Sequence, residues 1–460
     1  MKPNPEIFRE YDIRGIVGRD LTSEVAFQIG QAVGSKVRRS EGDRVLVGRD
    51  CRVSGAELSR GVVDGLIATG CVAFDAGVIP TPVNYWGHET LETDAAVEVT
   101  GSHNPPEYNG FKVTFRGHTL FGEEIQDIKR DIDGDRFVSG RGHTETRALL
   151  ERYVEDLASR LKPAARRLKI VVDAGNGTGG LTAVPLYERL GYEVVPLYCD
   201  LDGQFPHHHP DPTVESNLAD LRSAVREHKA DLGIAFDGDA DRIGVIDRGG
   251  EVVWGDRLLI LLARALLSEV PGAAVIGEVK CSKSLYDDIA KHGGRPIMWR
   301  AGHSLIKAKM KEEAAELAGE MSGHIFFKHR YYGFDDAVYA GGRLLEILSG
   351  TAQSIEELLA DVPKLIATPE IRVDCPEALK ARLVEAVRRR FVARQKSQHY
   401  RIIDIDGVRV EWRDGWGLVR CSNTQPILVL RFEATGERRL AAIRKRFDTE
   451  IAAARKMLER

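Results

Sequence analysis

Ser102 stands in Thr100-Gly-Ser-His-Asn-Pro-Pro-Glu-Tyr-Asn-Gly110, a loop with two prolines between strand-like runs Ala95–Val99 and Phe111–Phe115. A serine hydroxyl is a poor nucleophile until a base or a bound cation lowers the cost of its charged form. His103 and Lys112 are the nearest helpers. The same residue types also build ordinary turns, and Asn109-Gly110 is a turn pair by itself. The loop fails the Gly-x-Ser-x-Gly elbow because Asn104 stands where glycine is needed, which disfavours a Ser-His-Asp hydrolase.

A second loop, Asp237-Gly-Asp-Ala-Asp-Arg242, follows the buried-type strand Asp231–Phe236 and precedes the strand Ile243–Ile246. Three carboxylates at alternate positions repel one another without a cation, and together they suit a hard ion such as Mg²⁺. An EF-hand is excluded, because Arg242 and Arg248 occupy its glycine and glutamate positions. In Gly319-Glu-Met-Ser-Gly-His324 a carboxylate, a hydroxyl and an imidazole could hold sugar hydroxyls, and Gly302-His303 adds a donor; each could equally be a loop that caps a helix. Arg420-Cys-Ser-Asn-Thr-Gln-Pro426 has the composition of a phosphate cradle or of a polar hairpin. Arg14, in Tyr11-Asp-Ile-Arg-Gly15, is a fork for phosphate or carboxylate, or a solvated arginine on a short edge strand.

Other suggestive stretches carry less. Gly175-x-Gly177-x-Gly179 has neither dinucleotide nor Walker spacing and reads as a tight strand-to-helix turn. His207-His-His209, bounded by prolines, reads as a structural loop.

The elements that must position these loops recur. Strand, loop, helix, glycine and strand follow one another from Val45, from Lys169 and from Ala274, predicting three related α/β domains with mixed sheets. After Asp361 a helix over Pro376–Phe391, four antiparallel strands and a long charged helix predict an α+β domain. The expected divisions are 1–149, 150–251, 252–366 and 367–460. A hydrophobic content of 43% supports globular folding, and 65 Lys and Arg against 69 Asp and Glu give a net charge of -4, with no general attraction for nucleic acid or anionic membrane. Six scattered cysteines without a C-x-x-C pair fit a reducing compartment. The N-terminus lacks an apolar signal segment, so a cytoplasmic protein is expected.

Taken together and in order, the Tyr11–Gly15, Thr100–Pro105, Asp237–Arg242, Gly319–His324 and Arg420–Pro426 motifs resemble the α-D-phosphohexomutase superfamily over essentially the whole chain. Glu-Met-Ser-Gly-His is similar to the form in the bacterial phosphomannomutase/phosphoglucomutase branch, whereas phosphoglucosamine mutases typically have Gln in place of Met321. Gly101 replaces a usual alanine, which would loosen the loop; Cys421 and His207 are further departures.

The resemblance implies four domains around a central cleft, with Ser102 carried as phosphoserine and Mg²⁺ held by Ser102, Asp237, Asp239 and Asp241. It implies interconversion of hexose 1-phosphates and 6-phosphates of mannose and glucose through a bound 1,6-bisphosphate, with glucose 1,6-bisphosphate as activator. Lys112 and His103, with Arg14, are the implied proton handlers, and Arg242 the support of the moving phosphate. Tyr11, Arg14, Lys280, His303, Glu320, Ser322, His324, Arg420, Ser422, Asn423 and Thr424 would bind substrate. The partners are then small hexose phosphates, and the enzyme a monomer. The rivals are a phosphoglucosamine mutase, a sugar-phosphatase with the same phosphoserine chemistry, and a non-catalytic sugar-phosphate binding protein.

Overall fold

The computed structural model describes residues 2–395, 399–422 and 426–458. Among them the chain builds four β-sheets in succession, and three repeat one arrangement. In each of the three, a first strand lies between two parallel neighbours, and a fourth strand returns antiparallel along the third. These strands are Arg44–Arg49, Val72–Val78, Ala95–Val99 and Tyr108–Phe115 in the first domain. They are Lys169–Asp173, Glu193–Leu197, Leu232–Phe236 and Ile243–Asp247 in the second, and Ala274–Glu278, Arg295–Trp299, Leu317–Gly319 and Ile325–Phe327 in the third. The serine loop, the aspartate loop and the Glu320–His324 loop therefore occupy equivalent places, each turning from a third strand into the antiparallel fourth.

Parallel strands covered on both faces become continuously apolar, and Ala95–Val99, Leu232–Phe236 and Ala274–Glu278 are buried at every position. One apolar core runs from Leu46 and Tyr153 through Ile234 to Leu261 and Tyr339, joining the first three domains. Each aliphatic side chain so buried contributes roughly 1.5–3 kcal/mol, so this core fixes the three loops relative to one another.

The fourth sheet is antiparallel, with Arg401–Ile403, Val408–Trp412, Gly415–Cys421 and Ile427–Ala434 paired in succession. The helices Glu377–Val392 and Glu437–Leu458 pack on it through Leu383, Phe391 and Phe447. It joins the third domain through a small apolar cluster, Val279 against Trp416 and Leu418, and through polar groups. Arg409, wholly buried, donates from Nη1 to the carbonyls of Val279 and Cys281, both at 2.7 Å, and lies 3.8 Å above the Trp416 ring. No helix among the described residues is long and apolar enough to cross a membrane.

Two local expectations change. The strand expected from Phe111 begins at Tyr108, taking in the Asn109-Gly110 pair, because the edge strand Ile13–Ile16 pairs with exactly those positions, Ile16 with Tyr108 and Arg14 with Gly110. Tertiary pairing overrides turn preference here. Ile366–Ala367 and Ile371–Asp374, not expected as strands, pair along Ile427–Ala434; mostly exposed, they carry no apolar alternation to read.

Candidate active site

Ser102 is buried with a φ of +48°, a left-handed conformation that costs a non-glycine residue roughly 1–3 kcal/mol and persists only where its surroundings enforce it. Its N–H donates to Thr100 Oγ1 at 2.8 Å, and Thr100 Oγ1 in turn donates to Asp50 Oδ2 at 2.8 Å, which also accepts from the Gly101 N–H at 3.1 Å. Arg52 completes the clamp. Its buried guanidinium donates to the carbonyls of Ser102 at 2.7 Å, Asn104 and Pro105 at 2.6 Å each, and Tyr108 at 3.0 Å, and pairs with Asp50 at 3.1 Å. A Cβ on Gly101 would lie 2.5 Å from Arg52 Cζ, so the glycine, expected to loosen the loop, leaves the space that this arginine fills.

The Ser102 hydroxyl donates to Asp237 Oδ2 at 2.8 Å and lies 3.1 Å from His103 Nδ1. Serine and aspartate loops pack without a gap, since a Cβ on Gly238 would stand 2.6 Å from the Ser102 carbonyl oxygen. The glycine-rich turn after Asp173 supports the aspartate loop from behind, Thr178 donating its N–H to the Gly238 carbonyl at 3.0 Å. Burial, followed by the positive charges of Arg242 and Arg14, holds His103 well below the usual imidazole range.

Asp237, Asp239 and Asp241 are fully buried with their oxygens within 4.8 Å of one another. Lys112 reaches them from the antiparallel strand, donating to Asp239 Oδ2 at 2.6 Å and to Asp241 Oδ2. Asp239 also accepts from Thr81 Oγ1 at 2.5 Å. One ammonium against three carboxylates leaves negative charge unbalanced: burial and the two neighbouring carboxylates push Asp237 well above the usual range. Asp239 Oδ1 and Asp241 Oδ1 are buried without a hydrogen-bond partner among the described residues. Orphaned carboxylate oxygens beside a shared serine oxygen fit a hard cation.

Arg242 carries the site to the third domain, donating from Nε to His324 Nε2 at 3.0 Å, while His324 Nδ1 lies 3.1 Å from Asp335 Oδ2. Because Nε2 accepts, the His324 proton is on Nδ1, towards Asp335. The His303 and His324 rings stack with centroids 5.6 Å apart, and Tyr11 meets His303 edge-on. Glu320 and His324 lie at a β-hairpin rather than a helix cap, Glu320 Oε1 accepting the Gly302 N–H at 2.8 Å. Asp406 then ties in the fourth domain, accepting from Arg420 Nε at 2.9 Å and from the Ala301 N–H at 3.1 Å.

Models of the phosphoglucomutase/phosphomannomutase family match along the chain: α/β/α domain I over residues 5–139, domain II over 151–250, domain III over 254–366 and the C-terminal domain over 370–450. The chain belongs to this family. It is 48% identical over 447 residues to the phosphomannomutase/phosphoglucomutase of Pseudomonas aeruginosa, covering 97% of this chain and 96% of that one. It is 44% identical over 449 residues to the phosphoglucomutase of Neisseria gonorrhoeae, with the same coverage of 97% and 96%. A crystal structure of a phosphoglucomutase/phosphomannomutase family protein from Burkholderia thailandensis superposes with a TM-score of 0.93 at 44% identity, covering 98% of both chains.

In this member of the phosphoglucomutase/phosphomannomutase family, contacts join Ser102, His103, Lys112, the three aspartates, Arg242, His324, His303 and Tyr11. Arg14 joins through Asn104, to which it donates at 2.8 Å. Lys280 bridges to Glu370 at 3.2 Å, with Glu278, Arg420 and Glu320 near enough to act on its charge. Ser322 is half-buried on the third-domain hairpin, and Ser422 is buried, its carbonyl accepting from Lys380 Nζ at 2.7 Å. Asn423 and Thr424 lie outside the described residues. The histidine triplet is structural, His207 bonding Asn176 at 2.7 Å and His208 lying 3.1 Å from both Asp173 oxygens. Sequence reasoning missed Asp50, Arg52, Thr81 and Asp335. The one available signal was the charge pair Asp50 and Arg52 in the loop that follows the first strand of the first α/β repeat.

Glu98 was also missed. It lies between Gly48 and Lys112 in the first sheet, wholly buried, with neither carboxyl oxygen hydrogen-bonded among the described residues. Burial, then Asp50 and Asp239, pushes its carboxyl well above the ordinary 4.5. A carboxyl raised in the folded state binds its proton more tightly there than in the unfolded chain. Its contribution is therefore complete below about pH 4.5 and is lost as the pH rises through the folded value. Glu98→Gln is expected to match wild type in thermal midpoint near pH 4.5 and to exceed it at pH 8, as read by paired melting curves.

Proposed function

We propose that the protein interconverts hexose 1-phosphates and 6-phosphates of glucose and mannose through phosphorylated Ser102 and a bound 1,6-bisphosphate. The observation that carries this is the Ser102 hydroxyl 2.8 Å from Asp237, inside an aspartate cluster with orphaned oxygens. The relatives' names support the same reaction.

In the forward half-reaction the P–O bond to Ser102 Oγ breaks as the C6 hydroxyl oxygen of a hexose 1-phosphate bonds to phosphorus. The C6 hydroxyl's proton is passed on to Ser102 Oγ as that oxygen leaves phosphorus, so the half-reaction neither gains nor loses a proton. The bisphosphate then turns within the cleft, and the C1 phosphoryl group passes to Ser102 by the same chemistry in reverse. His103 Nδ1, 3.1 Å from Ser102 Oγ, is assigned the serine's proton. Lys112, held cationic by Asp239 and Asp241 despite its burial, balances charge at the transfer point. Arg242, fixed by His324, faces the moving phosphate, with Arg14 beside it. Glu320 and Ser322 hold sugar hydroxyls, with Tyr11, Lys280, His303 and His324 around them. Arg420, Ser422, Asn423 and Thr424 receive the phosphate that is not transferred, whichever end of the intermediate carries it.

Asp237, Asp239, Asp241 and a phosphoserine oxygen would hold Mg²⁺, which supplies charge neutralisation to the loose, anionic transition state of phosphoryl transfer. Glucose 1,6-bisphosphate serves to phosphorylate Ser102 in enzyme that has lost its phosphate. The protein works as a cytoplasmic monomer, all loops coming from one chain, with domains divided at 149/150, 251/252 and 366/367.

A coupled assay with Mg²⁺ and a trace of glucose 1,6-bisphosphate tests the reading. Turnover of glucose and mannose 1-phosphates is expected; turnover of glucosamine 1-phosphate alone, release of inorganic phosphate, or no isomerisation overturns it. Chelating the metal is expected to abolish turnover and readdition of Mg²⁺ to restore it, and undiminished rates in metal-free enzyme would refute the metal assignment.

A further inference from the structure

We propose that a second cavity, behind the catalytic cleft on the seam between the first and third domains, binds a small tetrahedral oxyanion of phosphate's size. The cavity lies between the helix Thr81–Thr90 of the first domain and the helix His303–Glu313 of the third. It holds about 60 Å³, several times the roughly 10–15 Å³ that admits one water.

Two hydroxyl-bearing residues line it from opposite domains, Tyr85 and Ser304. Both residues are more than nine-tenths buried, and neither hydroxyl has a hydrogen-bond partner among the described residues. Buried donors without acceptors call for a ligand or solvent to complete them. A cation stands with them: Lys307 Nζ lies 4.1 Å from the Tyr85 ring centroid and 3.0 Å from Asp335 Oδ1. Asp335 is shared, its other oxygen lying 3.1 Å from His324 Nδ1 and 3.7 Å from His303 Nδ1. One carboxylate thus serves an ammonium and two imidazoles. Burial lowers the proton affinity of Lys307 in spite of that pairing. The Lys307 ammonium carries three N–H donors and gives one to Asp335 Oδ1, so the wall offers donors from both hydroxyls and from Lys307 together. An oxyanion, with acceptors on every side, can take all three, as a single water cannot. At the exposed rim, Lys311 and Glu89 offset each other.

The site adjoins the catalytic rail, since Lys307, Asp335, His324 and Arg242 are linked in series. An anion that draws on Lys307 alters the charge at Asp335, which orients His324. Occupancy is therefore expected to lower kcat without competing with hexose 1-phosphate.

Crystals of the full chain soaked in selenate give a direct test by anomalous scattering. A peak is expected within hydrogen-bonding distance of Tyr85 Oη and Ser304 Oγ, in addition to any at Arg420, and it is expected to vanish in Ser304→Phe, whose ring fills the cavity. Tyr85→Phe, which removes one donor and keeps the ring, is expected to weaken the peak and guards against misfolding of the first variant. A parallel soak with glucose 6-phosphate separates the sources: density for the phosphate alone in the seam, without the sugar, identifies the free ion. In solution, inorganic phosphate is expected to show an inhibitory component that hexose 1-phosphate cannot overcome, lost in Ser304→Phe. No seam peak at a selenate concentration that fills the Arg420 region, or purely competitive inhibition by phosphate in the wild type, overturns the proposal.

Discussion

Ser102→Ala is expected to lower kcat by roughly 10^4 to 10^6-fold, the scale on which removal of a nucleophile acts, while leaving the fold in place. The two halves of that expectation rest on different atoms. The loop is held through backbone groups, the Ser102 N–H on Thr100 and the Ser102 carbonyl on Arg52, and neither needs the hydroxyl. Losing the hydroxyl's bond to Asp237 removes one hydrogen bond, worth about 1 kcal/mol net. The chemistry, in contrast, loses the only oxygen to which the phosphoryl group can be returned. Isotope-labelled phosphate from glucose 1,6-bisphosphate should therefore label wild type on a serine and leave the variant unlabelled, at nearly the same melting temperature. Full turnover in Ser102→Ala would refute the phosphoserine mechanism outright.

The serine, the three aspartates, Arg14, Arg242 and Arg420 were legible in the sequence because chemistry constrains residue type at those points and the flanking strands are apolar. Their assembly was legible only in part. Repetition of strand, loop, helix and strand announced three related domains, but that three of the loops occupy one equivalent turn emerges only from the sheet order. Long-range partners were out of reach for a plain reason: Asp335 matters because it stands 3.1 Å from His324 and 3.0 Å from Lys307, distances that no local pattern encodes. Glu98 misleads in the opposite sense. A charged residue within the strand-like run Ala95–Val99 suggests an exposed position, yet all five positions are buried. Residue type reports polarity, and a carboxyl that burial pushes towards its neutral form hides from that test.

Arg52 is where a residue that the sequence did not single out is expected to have the second largest effect. Arg52→Lys keeps a positive charge for Asp50 but replaces a planar fork with a single point donor. At least three of the four carbonyls now bound, those of Ser102, Asn104, Pro105 and Tyr108, then lose their partner or share it. The left-handed backbone at Ser102 is strained, so a loop released from its clamp relaxes away from that conformation. Displacement of about 1 Å is enough to cost roughly 10^2-fold in rate, and kcat is expected to fall by about that factor. Affinity offers the discriminating readout. The phosphate recognition proposed at Arg420 lies in another domain, so glucose 6-phosphate should bind Arg52→Lys within a few-fold of wild type by calorimetry. A loss of affinity as large as the loss of kcat would mean that Arg52 supports the fold generally; a loss confined to kcat would assign it to holding the serine where phosphoryl transfer can occur.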